Sequence, residues 1–169
     1  MPNLQAPVIA IPSPEHDIKC AIQKCDQKSY DIPAAKNRCA VLGTKKHTCV
    51  KETLQQKSPA CQCEQPFDMR TNPPTPVTSS PGKGLGRRPD VVVGGPSPAS
   101  YDVYDAKFPC SDDVRSGKAT SPGPMPSAGT SGANFVSASS KEQKDYVKIA
   151  NGGKSKALTP EDCKNEKCE

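Results

Sequence analysis

Between Pro89 and Phe108 this 169-residue chain carries its clearest β signal, and that signal limits the fold more than any other feature. Val91-Val92-Val93 is a β-branched run, and Tyr101-Asp102-Val103-Tyr104 alternates polar with apolar or aromatic side chains. Gly94 to Ser100, between them, is a run of turn formers. A symmetric hairpin centred between Ser97 and Pro98 sets Asp90 opposite Asp105, at the roughly 4.5–5.5 Å spacing of cross-strand neighbours. Asp105 and Lys107 are two apart on a strand and so share a face. A slip of one residue would turn these side chains to the opposite face and undo the convergence.

Two carboxylates and a lysine gathered at one spot can hold a divalent metal and activate water, which is the chemistry of phosphodiester cleavage. An Asp-x-Lys alone is commonly a solvated surface pair. Here a Pro-Asp stands at hairpin distance and Arg87-Arg88 lies beside it, which favours a site.

With Gly86-Arg87-Arg88-Pro89-Asp90 leading in and Asp105-Ala106-Lys107 closing the second run, the segment resembles the PD-(D/E)xK restriction-endonuclease-like superfamily. It is most similar to VRR-NUC-type and related nuclease domains at the C-termini of bacterial polymorphic toxins and type VI secretion effectors. The likeness spans roughly Gly86 to Lys154, with a gap in the middle, and departs from the commonest form in having Asp105 where many members have Glu. It implies an α+β fold with an α/β core, a small mixed sheet flanked by helices, to which the composition adds long irregular loops and a Cys-rich N-terminal part. It makes Asp90 and Asp105 the metal-binding acids and Lys107 the lysine. Gln143 and Tyr146 fill the places of the glutamine and aromatic on the following helix, and Glu52 is the candidate for the first-helix acid.

On this reading Asp90, Asp105 and the Ala106 backbone carbonyl hold Mg²⁺ or Mn²⁺, a hard ion that prefers oxygen and keeps waters. Lys107 positions the attacking water and offsets developing charge, and Gln143 orients the water or the lysine. Lys83, Arg87, Arg88, Tyr146, Lys144 and Lys148 grip the DNA, with salt-dependent, sequence-blind affinity. The implied biology is an antibacterial toxin domain that degrades DNA in a rival cell and is neutralised by a cognate immunity protein. The resemblance places it as secreted by contact-dependent delivery and acting in the target-cell cytoplasm. An RNase or branched-DNA nuclease of the same fold, and a non-catalytic disulfide-stapled interaction module, are the alternatives.

Bulk properties frame this reading. Hydrophobic content of 33%, no Trp and 19 Pro make a weak core-builder, so a compact centre with long irregular segments is expected. A net charge of +5 suits a polyanion binder without requiring one. No stretch approaches the roughly 20 apolar residues of a membrane span, so no membrane partner is expected. The N-terminus lacks the charged and apolar regions of a signal peptide, so export by the general secretory route is not expected.

Nine cysteines are too many for an ordinary cytosolic enzyme of this size, and six of them fall between Cys20 and Cys63. Structural cross-linking is expected, with an odd count leaving at least one thiol unpaired. A zinc site from Cys61, Cys63, His47 and Cys49 is the sharper alternative, although its spacing matches no standard zinc pattern. Cys110 reads as a buried thiol or bridge partner, and Cys163 with Cys168 as a local loop closed by a disulfide.

Along the chain, 1–30 reads as an extended Cys-bearing segment, 31–160 as the nuclease domain and 161–169 as a Cys-bearing tail. Within the domain, a helix starting at Pro33 ends at Gly43, and Thr44 caps a second one carrying Glu52. Residues 58–85 form a Pro-rich linker or wrapping loop, and 111–137 a flexible flap with a short strand at Phe135-Val136. A final helix starts at a Ser139-x-x-Glu142 capping box and stops at Asn151-Gly152-Gly153.

Overall fold

The computed structural model describes residues 12–32, 37–117 and 140–169. It is an α+β protein in which helices flank a small mixed sheet. In chain order the elements are α1 (Pro14–Gln27), α2 (Arg38–Lys57), β1 (Gln62–Cys63), β2 (Phe67–Asp68), β3 (Thr75–Pro76), β4 (Gly86–Arg87), β5 (Val91–Gly94), β6 (Tyr101–Ala106), α3 (Asp112–Arg115), α4 (Lys141–Ala150), β7 (Ser155–Leu158) and α5 (Pro160–Cys163).

The main sheet runs β1-β5-β6-β7. The β5–β6 hairpin pairs Val91 with Tyr104 and Gly94 with Tyr101, so the register carries Asp90 opposite Asp105. Strand β7 joins parallel to β6, pairing Ala106 with Leu158, and α4 makes the crossover that a parallel pair requires. Alternation divides the core. Val91, Tyr104, Ala106 and Leu158 pack with Ile18, Ile22, Val50 and Leu54 of α1 and α2. On the other side, Val92 and Val103 pack with Phe67 and with Tyr146 and Ile149 of α4.

The N-terminal segment expected to be extended instead contains α1. The Ser13 hydroxyl accepts from His16 N, Pro14 sits in the first turn, and Glu15 and Asp17 meet the positive end of the helix dipole. Ile18, Ala21, Ile22 and Cys25 make its buried stripe at helical spacing.

The helix break expected at Gly43 does not occur. One helix, α2, runs through it, because Leu42, Lys46, Cys49, Val50 and Leu54 form one continuous buried stripe. Gly43 faces open space, and the Thr44 hydroxyl donates back to the Ala40 carbonyl instead of capping a new helix. The start expected at Pro33 falls in 33–36, outside the described residues.

The Pro-rich stretch 58–85 is more ordered than a linker. It supplies β1 to the main sheet, and its β2 and β3 join β4 just beyond it in a second sheet, β3-β2-β4, around fully buried Phe67. Of the flap at 111–137, residues 111–117 hold α3, with Val114 buried, whereas 118–137 and the strand expected at Phe135-Val136 lie outside the described residues. Ser139 of the expected capping box also lies outside them. The hydroxyl that caps α4 is that of Ser140, which accepts from Gln143 N. The stop falls where expected: Asn151 adopts the left-handed conformation (φ 46°) and Gly152 follows at φ 93°. Gly153 then passes so close to strand β6 that a Cβ there would sit 2.0 Å from the Tyr101 carbonyl oxygen.

Three disulfides staple the helices: Cys20–Cys168, Cys25–Cys49 and Cys39–Cys110. Cys168 therefore closes onto α1 and not onto Cys163, which is buried and unpaired, as is Cys61, whereas Cys63 is unpaired and half-buried. The zinc alternative fails with this pairing, because Cys49 is committed to Cys25. Among the described residues no helix is long and apolar enough to cross a membrane.

Candidate functional site

The site forms at the end of the main sheet where β5 begins and β6 ends. Asp90 and Asp105 are cross-strand neighbours on adjacent strands, and their carboxyl groups are hydrogen-bonded to each other. Asp105 is 3% exposed. Lys107, two residues on and on the same face, places its Nζ 2.8 Å from Asp105 Oδ2 and donates to Glu142 Oε1 of α4 at 2.9 Å. Asp90 is held at both oxygens: Ala106 N donates to Oδ2 at 2.8 Å, and His47 Nδ1 of α2 lies 3.1 Å from Oδ1. The N–H and C=O of a strand residue leave the same edge, so the Ala106 carbonyl also faces the Asp90 side.

The electrostatics follow from crowding two carboxylates in a dry place. Burial, then the neighbouring Asp90 charge, pushes Asp105 up to about 8 despite Lys107. Burial also opposes the ionised form of Asp90, but the His47 and Ala106 hydrogen bonds outweigh it and hold that carboxyl below the ordinary range. The pair therefore divides into one ionised and one protonated carboxyl near neutrality. Burial would lower His47 and Lys107, yet their acidic partners raise both.

The donor set fits a hard divalent cation better than zinc. Among the described residues no three His, Cys, Asp or Glu side chains gather into a cage. Two carboxylates meet here, with a backbone carbonyl on the same strand edge, an all-oxygen set that would leave positions for water, as Mg²⁺ prefers. Asp105 Oδ2 is buried with no hydrogen bond of good geometry, its charged neighbour being the Lys107 ammonium at 2.8 Å, so a cation here would share this oxygen with the lysine.

The remaining expected residues divide. Gln143 stands beside Glu142 on α4 with its Nε2 buried and unpartnered. Tyr146 is a core residue, 6% exposed, packed with Phe67, Val92 and Ile149. Burial, then the Asp105 charge, raises its hydroxyl, so its polar end lies near the acids while its ring is unavailable for stacking on a base. Arg87 does not reach freely for phosphate, because its Nε lies 2.8 Å from Asp145 Oδ2, tying β4 to α4. Lys83, Arg88, Lys144 and Lys148 are exposed.

Glu52 is not part of the cluster. Five residues beyond His47, it lies some 140° further round the helix, on the exposed side of α2, where its charge is felt by Tyr30. The residue that α2 brings to the acids is His47. In the sequence His47 stands out only as a possible zinc ligand, and no local pattern ties it to Asp90. Comparison with protein-family models, with curated proteins and with solved structures finds no match to this chain.

Proposed function

We propose that this chain is a metal-dependent deoxyribonuclease of the PD-(D/E)xK type, of low sequence specificity, and the toxin domain of an antibacterial effector such as those of type VI secretion. The observation that carries this reading is the Asp90–Asp105 cross-strand pair with Lys107 against Asp105. Asp90, Asp105 and the Ala106 carbonyl would hold Mg²⁺ or Mn²⁺. Such an ion, when bound, supplies Lewis-acid polarisation of the phosphate and a water of lowered pKa.

The chain's own groups account for the rest. Lys107 presents an ammonium at the edge of the acid pair, where it would orient an attacking water and offset charge growing on phosphorus. Glu142 holds that ammonium from the other side. The unpartnered Gln143 amide has a hydrogen-bond donor left for the water or a phosphate oxygen. Exposed Arg88, Lys83, Lys144 and Lys148 would bind flanking phosphates and give affinity that falls with salt.

Three disulfides support a route through an oxidising compartment before the chain acts. A toxin of this kind needs a cognate immunity protein in its producer. The same three cross-links also favour the second reading, a stapled interaction module without activity. Supercoiled plasmid separates the two. The nuclease nicks it with Mg²⁺ or Mn²⁺, stops with EDTA and is inactive as Asp105→Ala. The module leaves it intact under every condition, and a parallel RNA substrate tests the ribonuclease alternative.

A further inference from the structure

We infer that His47 is the positioning residue of the cation site: its Nδ1–H fixes the Asp90 carboxylate in the orientation that binds a divalent metal. The inference rests on the nuclease reading of Asp90 and deepens it.

The ring is held from several directions. Its neighbour Lys46 is fully buried and ion-paired with Asp26 of α1, and two residues on, Cys49 is bonded to Cys25. The ring itself meets Phe108 edge-on, 5.4 Å between centroids. These contacts set both the rotation of α2 and the plane of the imidazole before any ligand arrives.

An ionised carboxylate only accepts hydrogen bonds, so Nδ1 carries the hydrogen of the 3.1 Å contact. That holds for the neutral ring and for the cation alike. Ala106 N already grips the other oxygen. With both oxygens held, the Asp90 carboxyl cannot rotate. Without His47 it keeps the Ala106 N–H and the shared hydrogen bond with Asp105, and the latter is the contact that a bound cation must displace, so Oδ1 loses its only fixed donor from α2. Partners that orient a metal ligand in this way typically set metal affinity by about 10–100-fold.

The test is Mn²⁺ titration of the oxidised protein, followed by calorimetry and by the electron paramagnetic resonance of unbound Mn²⁺. It uses the wild type, His47→Ala, His47→Asn and His47→Gln. The Asn amide nitrogen stands where Nδ1 stands, one bond from Cγ, whereas that of Gln falls at the Nε2 distance. His47→Ala and His47→Gln should bind Mn²⁺ about 10–100-fold more weakly, and His47→Asn within about threefold of wild type. Circular dichroism and thermal melts identify any variant that fails to fold, and the Asn–Gln contrast stands without the Ala variant.

Wild-type affinity in folded His47→Ala or His47→Gln would overturn the inference while leaving the nuclease reading intact. So would equal weakening in Asn and Gln, which would assign the effect to ring packing. A wild-type protein that binds no Mn²⁺ would overturn the cation site itself, and the inference with it.

Discussion

Replacing Asp105 by Asn should make the metal-free protein more stable at neutral pH and above while abolishing the proposed nuclease activity. The carboxyl of Asp105 is 3% exposed, and its pKa rises from the ordinary 3.8 to about 8 through burial and the charge of Asp90. Because the folded value lies above the unfolded one, this group's contribution is fully present below about pH 4 and is lost as pH rises through about 8. At pH 7 the shift spans about three units, or ~4 kcal/mol at 1.36 kcal/mol per unit. Asn removes that cost and offers Asp90 an amide donor, but it loses the Lys107 contact, which takes back ~1–2 kcal/mol.

The net expectation is a gain of ~2–3 kcal/mol at pH 7 that grows towards pH 8 and is lost near pH 4. Urea unfolding of the oxidised proteins in EDTA, from pH 4 to 9, reads it directly. Parallel curves for the two proteins across that range, or a less stable Asn variant at pH 8, would refute the picture of a desolvated carboxylate pair.

Lys107→Ala should cut plasmid nicking at least ~100-fold while Mn²⁺ titration still shows a bound ion, since the lysine is not a ligand. Glu52→Ala should change neither nicking nor the urea midpoint, with stability held within about 0.5 kcal/mol, because the side chain is exposed and away from the acids. The Cys20→Ser/Cys168→Ser pair should lose about 2–4 kcal/mol in urea unfolding, since that bridge closes a span of 148 residues. Thiol titration of the unreduced, unfolded wild type should find three reactive groups, Cys61, Cys63 and Cys163.

The hairpin was legible in the sequence because period-2 alternation on each side of a turn-forming run leaves one register that buries the valines. Helix α4 was legible because an apolar edge ends in Asn-Gly-Gly. Other parts depend on contacts distant in sequence. Strand β7, Ser-Lys-Ala-Leu, has little intrinsic strand preference and exists because the α4 crossover lays it beside β6. Helix α1 is masked in the sequence by the Pro and Cys of its segment, although Ile18, Ala21, Ile22 and Cys25 carry the helical period.

The site divides in the same way. Asp90, Asp105 and Lys107 are set by local register, and so could be placed from spacing alone. His47 and Glu142 arrive from helices on opposite faces of the sheet, and Arg87 is captured by Asp145, none of which spacing announces. Cysteine pairing likewise follows helix packing. Cys25–Cys49 joins α1 to α2, and Cys20–Cys168 brings the C-terminal residues back onto α1.

If Asp90 and Asp105 together bind a divalent cation, crystals soaked in Mn²⁺ should show it by anomalous diffraction. One anomalous peak is expected within roughly 2.0–2.6 Å of a carboxylate oxygen from each residue, with the Ala106 carbonyl beside it, and no such peak in Asp105→Asn crystals. Well-ordered crystals in which the two carboxyls remain hydrogen-bonded to each other, with no peak between them at saturating Mn²⁺, would contradict it.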